Sequence, residues 1–224
     1  MNSDVDYMLP DTPLTTKYNH QNWINPICEE WNVAGMKVLE VGSRVVTGAN
    51  FRPYFSKANY TGFDYYAGNN VDVVGDAHKL SSYFNKGEKF DFIFSVAVFE
   101  HFAMPWLVAQ EMGKLLRVGG GVFIETHFSY ASHERPWHFF QFSDMALRVL
   151  FSPAMGFECV EAGFSNPIVG RFSTLASEYL QNQPIPGLFC HSEYYGRKVR
   201  EVESFSWENA AMADLVGDSL YPKP

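Results

Sequence analysis

The sequence predicts an α/β domain built on a doubly wound, mostly parallel sheet with helices on both faces. Short apolar runs bounded by turn residues recur at 37–41, 60–64, 71–74, 90–96 and 121–126, the pattern of strands covered on both sides. Stretches with helical spacing separate the later runs. The first run breaks at Glu40-Val41-Gly42, and the second ends in Asp64. A strand, a glycine turn and an acid at the next strand's tip form the layout that grips a ribose in nucleotide-binding α/β sheets.

Taken in order, residues 1–32 carry Pro10, Pro13 and Pro26 without a clean period. They read as an N-terminal arm with a short helix, packed on the domain or over its site. The acidic start Met1-Asn-Ser-Asp-Val-Asp lacks an apolar segment and does not read as a signal peptide. Residues 33–165 form the predicted core. Its clearest helix spans Met104 to Leu116, with Pro105 suited to the first turn and Arg117-Val118-Gly119-Gly120-Gly121 as a stop signal. A second helix is expected from Ser143, a suitable N-cap, to about Phe151. Gly156–Gly163 resembles a further strand. Residues 166–224 read as irregular, with a last strand at Arg197–Glu203 completing the sheet. His191, Tyr194, Tyr195 and Arg197 in that part are expected on a lid or an oligomer contact, which leaves a homo-oligomer open.

Composition narrows the function classes. With 25 acidic against 17 basic residues and a formal charge of −8, the surface does not suit nucleic acid or an acidic membrane, which need clustered Lys and Arg. No run of 18 or more apolar residues marks a membrane span. The three cysteines, Cys28, Cys159 and Cys190, are scattered and odd in number, which fits a reducing cytoplasm.

Five motifs then fall in sequence: Val38-Leu-Glu-Val-Gly42, Asp64, Gly75-Asp76-Ala77, Phe90-Asp-Phe-Ile-Phe-Ser95 with Glu100-His101, and Leu115-Leu-Arg-Val-Gly-Gly120. From Val38 to Phe164 this series resembles the class I S-adenosylmethionine-dependent methyltransferases, and is similar to the small-molecule enzymes of their type 11 group. The resemblance implies a Rossmann-like, seven-stranded sheet and S-adenosyl-L-methionine as cofactor. It implies that the Gly42-Ser43-Arg44 turn meets the methionine end and that Glu40 holds this turn or the ligand's amino group. Asp64 would accept from the ribose hydroxyls, Asp76 from the adenine amino group, and the Ala77 N–H would meet a ring nitrogen. Ser95 and Val96 would floor the sulfonium. One departure stands out: Arg44 occupies the usual second glycine of the turn. It is expected to pair with the cofactor carboxylate.

Ligands in open α/β sheets bind beyond the carboxyl ends of the strands. There, Glu125-Thr126-His127 leads into Phe128–Phe140, the densest aromatic and histidine segment of the chain. An alcohol acceptor needs a base, and histidine suits neutral pH. His133 and His138, then His127, are the candidates; Glu100-His101 reads as site wall or helix-start support. No metal site is expected. His133-Glu134 with His138 is one residue too long for a zinc-protease helix, and Pro136 opposes that helix. A magnesium-assisted transfer would lack a carboxylate cluster. The reading is therefore a cytoplasmic methyltransferase acting on a small molecule, with the hydroxyl of a sugar or specialised metabolite as acceptor. The alternatives are a non-catalytic cofactor-binding subunit and an RNA or protein methyltransferase.

Overall fold

The computed structural model of the chain describes residue 7 and residues 9–216. The acidic start at 1–6 and the end at 217–224 lie outside the described residues. Seven strands make one sheet: β1 (Lys37–Val41), β2 (Asn59–Asp64), β3 (Val73–Val74), β4 (Phe90–Val96), β5 (Leu116–His127), β6 (Phe157–Pro167) and β7 (Phe189–Lys198). Their spatial order is β3-β2-β1-β4-β5-β7-β6. β1 pairs in parallel with β2 and β4, and β4 with β5, whereas β7 is antiparallel to both β5 and β6. The chain winds outward from β1 in one direction and from β4 in the other. The carboxyl ends of these two strands are thus the topological switch point, where open α/β sheets bind ligands.

Alternating side chains feed two cores. Leu39, Val41, Ile93, Val122, Ile124 and Tyr194 pack beneath α2 (Pro105–Leu115) and α3 (Asp144–Leu150). Val38, Phe92, Phe94, Phe123 and Tyr195 pack against α1 (Ile24–Trp31). Trp31 of α1 stacks on Phe92 at 5.5 Å between ring centroids, and Trp23, just before the helix, stacks on Phe123 at 4.6 Å. Ser143 caps α3 by accepting from the Ala146 N–H, satisfying one of the helix's orphan donors. Short 3-10 segments, Arg52–Phe55 and Ala77–Tyr83, the latter kinked at Lys79, stand where longer crossover helices could run. A short α4 (Met212–Val216) closes the described chain. Among the described residues no helix is long and apolar enough to cross a membrane.

The C-terminal part departs from expectation. The last strand is Phe189–Lys198, not Arg197–Glu203, and it enters between β5 and β6. Tyr194 and Tyr195 are buried there, one on each face; they are core residues, not part of a lid. The strand was hidden because it buries Glu193 and Lys198, which breaks the apolar pattern. Lys198 is tolerated because its Nζ donates to the Gly113 and Leu116 carbonyls at 2.7 and 2.9 Å and meets Glu201 at 2.6 Å, as a buried charge requires.

β6 would leave an open sheet edge, a template for unwanted pairing. The N-terminal arm covers it. Phe164 N–H donates to the Pro13 carbonyl at 2.8 Å, and Thr15 N–H to the Phe164 carbonyl at 3.1 Å. Gly163 permits this approach, since a Cβ there would lie 2.5 Å from the Pro13 carbonyl oxygen. Gly163→Ala should therefore lift the arm and destabilise the protein by about 1–3 kcal/mol. Hydrogen exchange should show the Thr15 and Phe164 amides losing protection while β1 and β4 keep theirs.

Candidate functional site

The turn after β1 is held from two sides. Gly42 has a φ of 88°, a left-handed conformation that favours glycine, and an added Cβ would collide with the Val98 side chain beyond β4. The Gly42 and Ser43 N–H groups both donate to the Phe63 carbonyl of β2, at 2.8 and 3.0 Å. Ser95 Oγ on β4 donates to the Val41 carbonyl at 2.8 Å. That bond turns the Ser95 hydroxyl into a tie between strands.

Glu40 points into the protein. Its carboxyl takes the Tyr60 hydroxyl and, at 3.3 Å, the Asn70 amide. Burial pushes it up to about 8, against the opposing Asn70 hydrogen bond and the charge of Arg52. Asn70 also donates to the Ser43 carbonyl at 2.9 Å and receives Arg52 Nε at 2.7 Å, and its own carbonyl accepts Ser43 Oγ at 2.9 Å. Glu40 and Ser43 thus belong to a network that fixes the turn. Tyr60 and Asn70 had no signal in the sequence, since an asparagine in a loop reads as a turn former.

Asp64, at the tip of β2, accepts the Arg44 N–H at 3.1 Å and the Tyr66 N–H at 3.0 Å. Two oxygens offer about four lone-pair sites, so acceptor capacity remains. Arg44 Nε lies 3.5 Å from the same carboxylate, and its guanidinium covers the Tyr66 ring at 5.5 Å. In this arrangement the Arg44 guanidinium lies beside Asp64 and the Tyr66 ring. Asp76 receives the His78 N–H at 3.0 Å and His78 Nδ1 at 2.7 Å, both on Oδ1. Burial raises its pKa, but these His78 contacts outweigh that and hold it below the usual carboxylate value. Oδ2 has no hydrogen-bond partner among the described residues. Ala77 follows, buried, at the start of the 3-10 turn.

Six of the seven histidines gather at the carboxyl end of β5 and the amino end of β7. Glu100, fully buried after β4, accepts Thr126 Oγ1 at 2.7 Å. Its Oε1 lies 2.8 Å from His127 Nδ1 and 3.8 Å from His101 Nε2. Burial opposes ionisation of Glu100, yet His127 and Thr126 outweigh it and keep the group a carboxylate. The rings of His133 and His138 are 4.6 Å apart, and His127 lies 5.4 Å from His133. Behind them His20, from the arm, bonds Glu125 at 2.9 Å and stacks on His191 at 4.2 Å. Glu193, opposite Glu125 on β7, is pushed by burial to about 7. His20 and His191 lie 171 residues apart in sequence, and only the insertion of β7 beside β5 brings them together.

Residues 128–142 fold back over this end. The Phe139 and Phe140 N–H groups donate to the Glu100 carbonyl at 2.9 and 3.2 Å, and Phe142 N–H to the His127 carbonyl at 2.8 Å. Trp137 reaches Tyr65, beyond the tip of β2, at 5.7 Å. The loop therefore runs from the β5 end toward the β2 end, across the switch point. Ala97 leaves β4 there with a φ of 53°, uncommon for a residue with a side chain. A separate cleft of about 180 Å³ among Lys89, Lys114, Lys198 and Glu201 lies at the opposite, amino end of the sheet.

This architecture, with acids at the tips of β2 and β3 and a glycine turn at the switch point, has the layout of the nucleotide-binding α/β sheets. A family described as methyltransferase domain matches residues 18–162. The YcgJ protein from Bacillus subtilis superposes with a TM-score of 0.54 at 16% identity, covering 79% of this chain and 98% of that one. The 1,6-didemethyltoxoflavin-N1-methyltransferase of Burkholderia thailandensis, solved with S-adenosylhomocysteine bound, gives 0.53 at 13% identity, covering 79% and 78%. A SAM-dependent methyltransferase from Archaeoglobus fulgidus gives 0.52 at 13% identity, covering 81% and 97%. At these identities the likeness speaks to fold. No curated protein sequence matches the chain. The chain belongs to the methyltransferase-domain family and is a class I, S-adenosylmethionine-dependent enzyme.

The Glu40 network has a pH signature. An unfolded glutamate titrates near 4.5 and the folded one near 8, so the folded state prefers the protonated form. The stabilisation from that preference is complete below 4.5 and is lost as pH rises through 8. Glu40→Gln mimics the protonated group and escapes this loss. Denaturant titrations should show the variant gaining about 2–4 kcal/mol on the wild type between pH 5 and pH 8.5.

Proposed function

We propose that the enzyme methylates a hydroxyl oxygen of a small molecule, a sugar or specialised metabolite, bound under the 128–142 loop. The single observation that carries this is the buried Glu100 carboxylate. It sits with His127 and His133 immediately beyond β4, beside the glycine turn, under a roof of exposed aromatic rings. Such rings suit a small organic acceptor, and the acidic surface does not favour RNA.

The chain's residues fit S-adenosylmethionine. Asp64 retains acceptor capacity for a vicinal diol, and Asp76 Oδ2 is open to an exocyclic amine. Gly42, Ser43 and Arg44 would border the methionine end, and Ala77 the adenine. Glu40 and Ser95 act one step removed, by holding the backbone these contacts need. The cofactor supplies a methyl group on a sulfonium; the protein aligns the acceptor and stabilises its oxygen as it loses its proton.

Among the three histidines expected to activate that oxygen, ring-nitrogen partners discriminate. His138 Nδ1 accepts the His133 N–H at 3.2 Å, so the neutral ring carries its proton on Nε2 and has no free lone pair. His133 donates Nδ1–H to the Ala131 carbonyl at 2.9 Å, leaving Nε2 free. His127 faces Glu100. Activation therefore rests on Glu100, His127 and His133, with His138 positioning the His133 backbone.

Calorimetry and a labelled-methyl assay on fractionated metabolites test this. Asp64→Asn should weaken S-adenosylmethionine binding by about tenfold or more, the loss of a charge-assisted hydrogen bond. His133→Ala should cut methyl transfer by roughly 10²–10⁴ with cofactor affinity unchanged. Label appearing only in RNA or protein, or full transfer by His133→Ala, would reject the proposal.

A further inference from the structure

We propose that Glu100, His127 and His133 form a binding site for a divalent transition-metal ion, with positions left open for the methyl acceptor. One ligand atom from each of the three residues lies within 4.8 Å of the others. They come from three separate segments: the turn after β4, the end of β5, and the loop that follows. No local spacing in the sequence could announce them.

The decisive observation concerns two buried atoms. Glu100 Oε1 and His127 Nδ1 lie 2.8 Å apart as an ion-pair contact, but neither atom has a partner in hydrogen-bond geometry. The residues are 0% and 8% exposed. Orphaned polar atoms at that depth are costly. Two ligands of one ion, each at about 2.0–2.2 Å from it, stand roughly 3 Å apart without pointing at each other, which is this arrangement.

The surroundings match a ligand shell. His133 anchors its Nδ1–H on the Ala131 carbonyl and Glu100 its second oxygen on Thr126, the outer hydrogen bonds that orient metal ligands. His101, with Nδ1 on the Trp137 carbonyl at 2.8 Å, brings Nε2 to the rim. The neighbouring set of His20, Glu125 and His191 has the same residue types, but His20 and Glu125 make an aligned hydrogen bond and His191 Nδ1 is engaged by Asn166 at 2.9 Å.

Two imidazoles and one carboxylate select zinc, iron(II), cobalt or manganese over magnesium and calcium. Three protein ligands leave coordination positions free. With the ion bound, Glu100, His127 and His133 would act as its ligands and not as bases: an acceptor hydroxyl taking an open position would have its pKa lowered and release its proton to water, its oxygen remaining on the ion. An acceptor with a second oxygen beside the first would fill two positions. This last step rests on the oxygen-acceptor reading above; the binding of the ion does not.

Chelator-stripped full-length protein should be titrated with Co²⁺, following visible absorption, and with Zn²⁺ by calorimetry. The expected result is one equivalent bound per chain, with affinity at least tenfold weaker in His133→Ala and in Glu100→Gln, and with no heat from Mg²⁺. His133 lies on a half-exposed loop, so its variant should fold even if Glu100→Gln does not; circular dichroism checks both. S-adenosylmethionine binding by the stripped protein, measured separately, reports on the cofactor site. Absence of Co²⁺ and Zn²⁺ binding, or binding that survives His133→Ala and is lost in His191→Ala, would overturn the metal site while leaving the methyltransferase reading intact.

Discussion

The close approach of the β4 exit to the turn after β1 is the constraint on which the rest of this molecule depends. Val98 fills the space where a Cβ of residue 42 would lie. The Phe63 carbonyl anchors the same turn from the β2 side. With both neighbours fixed, the three carboxyl ends stand at set distances, and each acid at a strand tip meets the same space. A side chain at position 42 would separate β4 from β1 and disorder the switch point, because packed interiors have little room to yield.

Polar groups finish what packing begins. Glu40, Tyr60, Asn70, Ser43 and Arg52 form one connected network beneath the turn. Its members bond to one another and to backbone, so its work is placement. A conspicuous acid such as Glu40 is thus committed to holding the turn, through Tyr60 and Asn70. Networks of this kind hold their geometry only while every member is paired.

The sequence made the parallel strands legible because β1 and β4 are apolar on both faces and stop at turn residues. It misled at β7, where a buried lysine and glutamate imitate a surface segment, and it gave no sign that Arg44 lies beside Asp64, 20 residues away. The candidate cofactor residues could be named because the ordered motifs from Val38 to Gly120 resemble those of a known family. The acceptor side could not be assembled this way. His20, Glu100, Glu125, His127, His133 and His191 lie on the arm, two strands and two loops, and only the sheet order brings them together. Charge pattern and periodicity carry no information about which strand will be inserted beside which.

Glu100 links the two halves of the site through different atoms. Its carboxylate faces His127 and Thr126, while its backbone carbonyl receives the Phe139 and Phe140 N–H groups. The roof and the acceptor cluster are therefore anchored on one residue that has no exposed surface. When the 128–142 loop moves, those two hydrogen bonds must stretch, and the position of the Glu100 backbone is the quantity that changes with them. A loop closing over a ligand would thus also act on the carboxylate below it. A transferase that excludes water before its acceptor becomes reactive needs that order of events, and a shared anchor would supply it without a separate sensor.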